Sequence, residues 1–192
     1  MGRGPVKGGG EGAGQELRYP LRPGTRRARA RVREIDFGRE VGEPPPRAAG
    51  GLLLDSHIWL WLLSGHHGRM PVAVLQELLR PNRETPLAIS EATPWEVMTK
   101  AHRGRLLLEL PPATWMARAL SAPGIQCHPL RRAVLLEAAT LPEGFPRDPF
   151  DRVIVATARL EGMTLVTADQ AIVAWAKKTG EVRVLAAGKG RG

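Results

Sequence analysis

The chain has 192 residues, 43% of them hydrophobic and 24% charged, with a formal net charge of +9. That length sustains one domain with a real core, and the composition is ordinary for a globular protein. A single cysteine, Cys127, excludes an internal disulfide and a cysteine-based zinc site. With no apolar run near the roughly 18–20 residues of a membrane span, and no apolar signal-peptide core, a cytoplasmic protein is expected.

Residues 1–50 carry 11 of the 28 Lys/Arg and 6 of the 19 Asp/Glu, a balance of +5; the remainder of the chain carries +4. A mildly basic body supports a polyanion such as RNA as partner without demanding one. The same first 50 residues hold 11 of the 22 glycines, six prolines and the run Arg26-Arg27-Ala28-Arg29-Ala30-Arg31-Val32-Arg33, with no apolar periodicity. The segment is expected to be a disordered, basic Gly/Pro/Arg-rich extension, with Pro44-Pro45-Pro46 as an extended spacer. A basic RNA-binding arm is its functional reading; an inert tail, or an extension from a misplaced start, carries more weight.

From Gly51 short apolar runs alternate with helical patterns, the mark of βα units around a parallel sheet. Strands are expected near 51–55, 86–90, 125–128, 163–167 and 182–185. Helices are expected near 57–64, 71–80, 93–102, 112–121, 131–140, 149–161 and 169–177. The folded domain is therefore placed at 51–186, with a frayed tail at 187–192.

Four acids stand where such a sheet delivers residues to one edge. Asp55 ends Gly51-Leu52-Leu53-Leu54, Glu96 follows Leu87-Ala88-Ile89 by one short segment, Asp151 opens Val153-Ile154-Val155-Ala156, and Asp169 ends Met163-Thr164-Leu165-Val166-Thr167-Ala168. Each has a local explanation as well. Asp55, Asp148 and Asp169 suit helix N-caps. Thr93-Pro94-Trp95-Glu96 suits a capping box in which Glu96 reaches back to the Thr93 amide. Caps alone do not explain why acids recur at the carboxyl ends of several strands. Carboxylates gathered there repel one another unless a hard cation neutralises them, which points to Mg²⁺ or Mn²⁺ and to phosphate chemistry.

These residues resemble the PIN-domain family, of the VapC toxin type. Leu52-Leu53-Leu54-Asp55-Ser56-His57-Ile58-Trp59-Leu60-Trp61 is similar to its opening motif and Ile89-Ser90-Glu91-Ala92-Thr93-Pro94-Trp95-Glu96 to its second. Arg147-Asp148-Pro149-Phe150-Asp151-Arg152-Val153-Ile154-Val155-Ala156 resembles the third motif of one subgroup, and Leu165-Val166-Thr167-Ala168-Asp169 the fourth. The order is the family's, and the motifs cover most of 51–185; the 50 preceding residues depart from its usual plan. The resemblance implies a three-layer α/β PIN-like fold, with a mainly parallel sheet of four or five strands and helices on both faces. It implies a Mg²⁺- or Mn²⁺-dependent endoribonuclease hydrolysing RNA phosphodiester bonds, the toxin of a toxin–antitoxin pair, with a small antitoxin partner and homodimers. Asp55 and Asp151 would be the main metal ligands, and Glu96 and Asp169 would complete the acidic cluster directly or through water. Ser56, Asp148 and Thr167 would support them.

Other residues are weighed individually. His57 follows the first acid, and local packing at a helix start is favoured over contact with metal or phosphate. Lys100, Arg103, Arg147 and Arg152 are candidate contacts to RNA or antitoxin. Trp59, Trp61, Trp95, Trp115 and Trp175 are read as core or interface packing, with base stacking by Trp61 or Trp115 the lesser reading. Ile58-Trp59-Leu60-Trp61-Leu62-Leu63 and Val72-Ala73-Val74-Leu75 suit either antitoxin contacts or core. A haloacid-dehalogenase-type phosphatase lacks its second Asp, His57 standing in that place. A receiver domain lacks its paired acids and central phosphoacceptor, and the P-loop and Gly-x-Ser-x-Gly signatures are absent. The rival reading is a non-catalytic PIN-like RNA- or partner-binding protein, whose acids would tolerate amide substitution.

Overall fold

The computed structural model describes residues 29–30, 50–81, 86–142 and 144–188. Most of the basic extension and the end of the tail lie outside these residues. In chain order the elements are β1 (Arg29–Ala30), β2 (Leu52–Leu54), α1 (Ser56–Leu63), α2 (Val72–Leu78), β3 (Leu87–Ser90), α3 (Ala92–His102), β4 (Leu107–Leu108) and α4 (Pro112–Leu120). They continue with β5 (Ile125–His128), α5 (Arg132–Ala139), α6 (Pro149–Leu160), β6 (Thr164–Thr167), α7 (Gln170–Thr179) and β7 (Val184–Ala186), and a 3₁₀ turn at His67–Arg69 separates α1 from α2.

Five strands form one sheet in the order β5-β3-β2-β6-β7, and every pairing is parallel. The path runs from β2 outward through β3 to β5, then crosses back to β6 and β7. That reversal puts α1–α4 on one face and α5–α7 on the other, as right-handed crossovers require. The strand side chains confirm the division through their period of two. Leu52, Leu54, Leu87, Ile89 and Val166 pack with Ile58, Trp59, Leu62, Leu78, Val97 and Trp115 on one face. Leu53, Ala88 and Leu165 pack with Val134, Ile154, Ile172 and Trp175 on the other. Strands buried on both faces read as unbroken apolar runs, which is why Leu52-Leu53-Leu54 contains no polar residue. Each such fully buried side chain contributes about 1.5–3 kcal/mol relative to exposure.

The order reverses at β2, between β3 and β6. In open parallel sheets the crevice at such a switch point, beyond the strand carboxyl ends, is where ligands are handled. Asp55 leaves β2 at this point, and its N–H continues the ladder to the Val166 carbonyl at 3.0 Å.

Two local expectations need correction. The capping box does not form: α3 begins at Ala92, one residue early, because the Ser90 hydroxyl accepts from the Ala92 N–H at 3.3 Å. Thr93 is buried, with no hydrogen-bond partner for its hydroxyl among the described residues, and the Glu96 carboxylate turns elsewhere. A second, two-stranded parallel pair, β1 with β4, has no counterpart in the predicted elements. Of the two readings left open for 58–63 and 72–75, core describes most of these residues: Ile58, Trp59, Leu62 and Leu63 are buried, as is Val74, while Val72 is exposed. No described helix is long and apolar enough to cross a membrane.

Candidate active site

A cleft of about 200 Å³ opens at the switch point, lined by Asp55, Glu96, Asp148, Asp151 and Asp169 together with Ser56, His57 and Lys100. The four predicted acids and Asp148 therefore share one space, although they come from the ends of β2 and β6 and the starts of α3 and α6.

Asp55 is almost completely buried. Its Oδ1 accepts from the Ser56 N–H at 2.6 Å and its Oδ2 from the Thr167 hydroxyl at 2.5 Å. The Thr167 Oγ1 in turn accepts from the Asp169 N–H at 3.0 Å, so one hydroxyl ties the ends of β2 and β6 together. Asp169 caps α7, accepting from the Ala171 and Ile172 amides at 2.7 and 3.1 Å through Oδ1. Asp148 caps α6 in the same way, from the Phe150 and Asp151 amides, and Pro149 fills the first helical position where no N–H is needed.

The buried Glu96 accepts from the Ser56 hydroxyl at 2.5 Å through Oε2 and pairs with Lys100 through Oε1. His57 bridges two strand ends. Its Nε2 accepts from the Ala168 N–H at 2.8 Å, so Nδ1 carries the proton of the neutral ring and faces Asp55 Oδ2 at 3.4 Å. Its packing is local, against Trp61 at 5.1 Å, but it also fixes the β6–α7 loop.

Asp151 differs from the other acids. No described residue donates a hydrogen bond to its carboxylate, and its pKa is pushed up to about 7, first by burial and then by Asp55, Asp148, Glu96 and Asp169. Burial also raises the Asp55 pKa; His57, Thr167 and the Ser56 amide oppose that rise, and Glu96 adds to it.

The donor set suits a hard cation. All the candidate ligands are carboxylate oxygens, and Asp151 is a partly buried acid facing four other carboxylates, while the Lys100 that shares the cleft is paired with Glu96. Among the described residues no three or more His, Cys, Asp or Glu side chains form a ready-made metal cage. An open array of this kind matches Mg²⁺, which holds several waters and uses one or two carboxylates, better than a closed structural site.

The basic candidates divide. Lys100 lines the cleft; Arg103 and Arg147 are exposed outside it. Arg152, also a candidate contact, is turned toward its own chain. Its Nε donates to the Ala138 carbonyl at 2.8 Å, and Nη2 reaches the Ala139 and Leu141 carbonyls, closing the orphan end of α5 over the Phe145 ring. Trp115, considered for stacking, is fully buried edge-on to Trp59, whereas Trp95 is 56% exposed.

An all-parallel α/β domain with acids collected at its switch point belongs to a recognisable class, and the PIN-domain family profile matches residues 52–178. The chain belongs to the PIN-domain family. It is 32% identical over 119 residues to Ribonuclease VapC22 of Mycobacterium tuberculosis (strain ATCC 25618 / H37Rv), covering 62% of this chain and 87% of that protein. Its fold is like that in the crystal structure of VapBC2 from Rickettsia felis bound to a DNA fragment from their promoter. The TM-score is 0.50 at 17% identity, over 71% of this chain and 98% of that one. DNA-bound VapBC from Salmonella typhimurium aligns with a TM-score of 0.49 at 15% identity, over 71% and 97% of the two chains.

Proposed function

We propose that this protein is a metal-dependent RNA endonuclease acting as the toxin of a toxin–antitoxin pair. The observation that carries the reading is Asp151: a half-buried carboxylate without a donor among the described residues, surrounded by four other carboxylates, in the cleft of a PIN domain. A related chain is named a ribonuclease, and the fold-related structures are VapBC assemblies, which supports RNA as substrate and a small antitoxin as partner.

Asp55 and Asp151 would hold the cation, Mg²⁺ or Mn²⁺, and Glu96 and Asp169 would complete the set directly or through water. When bound, the cation supplies Lewis acidity, making water more acidic and offsetting charge that develops on phosphoryl oxygens. Thr167 fixes the Asp55 carboxylate and the Asp169 backbone from one hydroxyl. Ser56 holds Glu96 against the cleft. Lys100, on the next turn of α3, restrains the other Glu96 oxygen and offers positive charge to a phosphate. Homodimers and a cytoplasmic location complete this reading.

The test is cleavage of a panel of single-stranded RNAs by the full chain with Mg²⁺, Mn²⁺ or EDTA. Wild type cuts only with metal, while folded Asp55→Asn and Asp151→Asn keep the side-chain shape and lose activity. Full activity in both variants, or equal activity in EDTA, contradicts the mechanism; a folded wild type that cuts no RNA favours the non-catalytic binding protein.

A further inference from the structure

The acidic cleft has room for a phosphodiester and its ion, but it offers a nucleobase little. Its volume is about 200 Å³ and its lining is dominated by carboxylates. Immediately beside it the surface changes character. Trp95 precedes Glu96 on α3, and Phe150 precedes Asp151 on α6; the acids turn into the cleft while the two aromatic rings meet outside it, 4.8 Å apart with an interplanar angle of 73°. Edge-to-face contact of this kind holds the indole in place while Trp95 stays 56% exposed, so an apolar surface remains free in a fixed orientation. Trp95 also forms one wall of an open, largely apolar hollow of about 520 Å³ with Pro94, Leu120, Cys127, Leu130 and the carboxylate-bearing Glu91. Nearby, Arg147 is exposed and makes no ion pair among the described residues, leaving it able to meet a backbone phosphate.

We propose that the Trp95–Phe150 pair is a stacking platform for an unpaired base of the RNA strand whose phosphodiester enters the acidic cleft. The inference rests on the nuclease reading and adds a substrate-positioning contact to it: one base next to the cut is turned out onto the indole of Trp95. Adjacency favours a nucleobase over a protein partner. The rings are attached through consecutive residues to two of the acids that would hold the cation, so a strand positioned for cleavage passes the indole. Stacking on an aromatic ring tolerates any base and is strongest where the ring is already held, because little side-chain entropy is lost.

The decisive experiment combines Trp95→Ala and Trp95→Phe with abasic substitution at each nucleotide around the cut of a short single-stranded RNA. Steady-state kinetics are measured with Mg²⁺, and binding of the same labelled RNA is measured by anisotropy on an Asp151→Asn background. Trp95→Ala is expected to weaken RNA binding and raise KM by roughly 5- to 100-fold. Trp95→Phe should restore most of the loss. Removing one particular base should cost wild type a similar factor and cost Trp95→Ala almost nothing more. Unchanged binding in Trp95→Ala, or additive losses at every abasic position, overturns the platform. Unchanged RNA binding with loss of self-association or of a co-purifying small protein also overturns it and assigns the face to protein contacts. Failure of the nuclease reading is visible separately, as a wild type that binds the RNA through Trp95 without metal-dependent cleavage. A wild type that neither binds nor cuts RNA removes both.

Discussion

Across the α5–α7 side of the domain, Glu137, Glu161 and Glu181 each pair with an arginine. Arg159 reaches Glu137 at 3.1 Å and Glu181 at 2.7 Å, and Arg131 pairs with Glu161. At the carboxyl ends of β2 and β6 five acids line one cleft, the lysine among the lining residues is committed to Glu96, and no described residue donates to Asp151. The same residue types thus serve two ends. The first set is compensated within the chain and stabilises it modestly; the second is held in place by Thr167, Ser56 and helix caps while its charge is left for something external. A fold that merely needed caps would have no reason to bury Asp55 and Glu96 beside Asp151.

The largest way to break this contrast is to remove cleft charge. Asp151→Asn should lower kcat by on the order of 10²–10³-fold or more. The equivalent change outside the cleft, Glu137→Gln, should leave kcat alone; steady-state assays on the two purified variants decide it.

Next comes the scaffold that holds the charge. Thr167→Val deletes the hydroxyl joining Asp55 to the Asp169 backbone and should cost about 10–100-fold in metal affinity or activity. Thr167→Ser should recover most of it, and recovery is the feature that a simple packing defect would not show.

The pH dependence of stability sharpens the comparison further. The folded pKa of Asp151, about 7, lies above its ordinary 3.8. The folded state therefore favours the protonated acid, and this contribution is complete below about pH 4 and lost as pH rises through about 7. In EDTA, wild type should lose melting temperature between about pH 5 and pH 8 relative to Asp151→Asn. Mg²⁺ should restore more at pH 8 than at pH 5, since protons and cation compete for the same carboxylate. Equal slopes for the two proteins would contradict the strain assigned to this group.

The smallest effect is expected on the matched side. Glu137→Gln breaks a partly exposed pair and should cost no more than about 1 kcal/mol in a denaturant titration.

Much of this was legible in the chain. Strand and helix positions agree within about two residues, because runs such as Leu52-Leu53-Leu54 and the Asp148-Pro149 start carry strong local signals. What was not legible depends on distance along the chain. Thr167 and Asp55 are 112 residues apart, and no window of sequence announces their hydrogen bond. The use of Ser90 rather than Thr93 to start α3, and of Arg152 to close α5, follows from which groups the tertiary fold leaves orphaned. Trp95 and Trp115 look alike in sequence, each in the first turns of a mixed helix after a proline; only packing shows that Trp115 is sealed in the core and Trp95 left out.

The most direct test of the central claim is calorimetric titration of the metal-free full chain with Mg²⁺ and Mn²⁺ near pH 7, in two buffers of different ionisation enthalpy, beside Asp151→Asn. The account predicts saturable binding by wild type, accompanied by proton release from Asp151, with both signals lost in a folded Asp151→Asn. No binding by wild type, or binding undiminished in the variant, would contradict it and return the cleft acids to the role of helix caps.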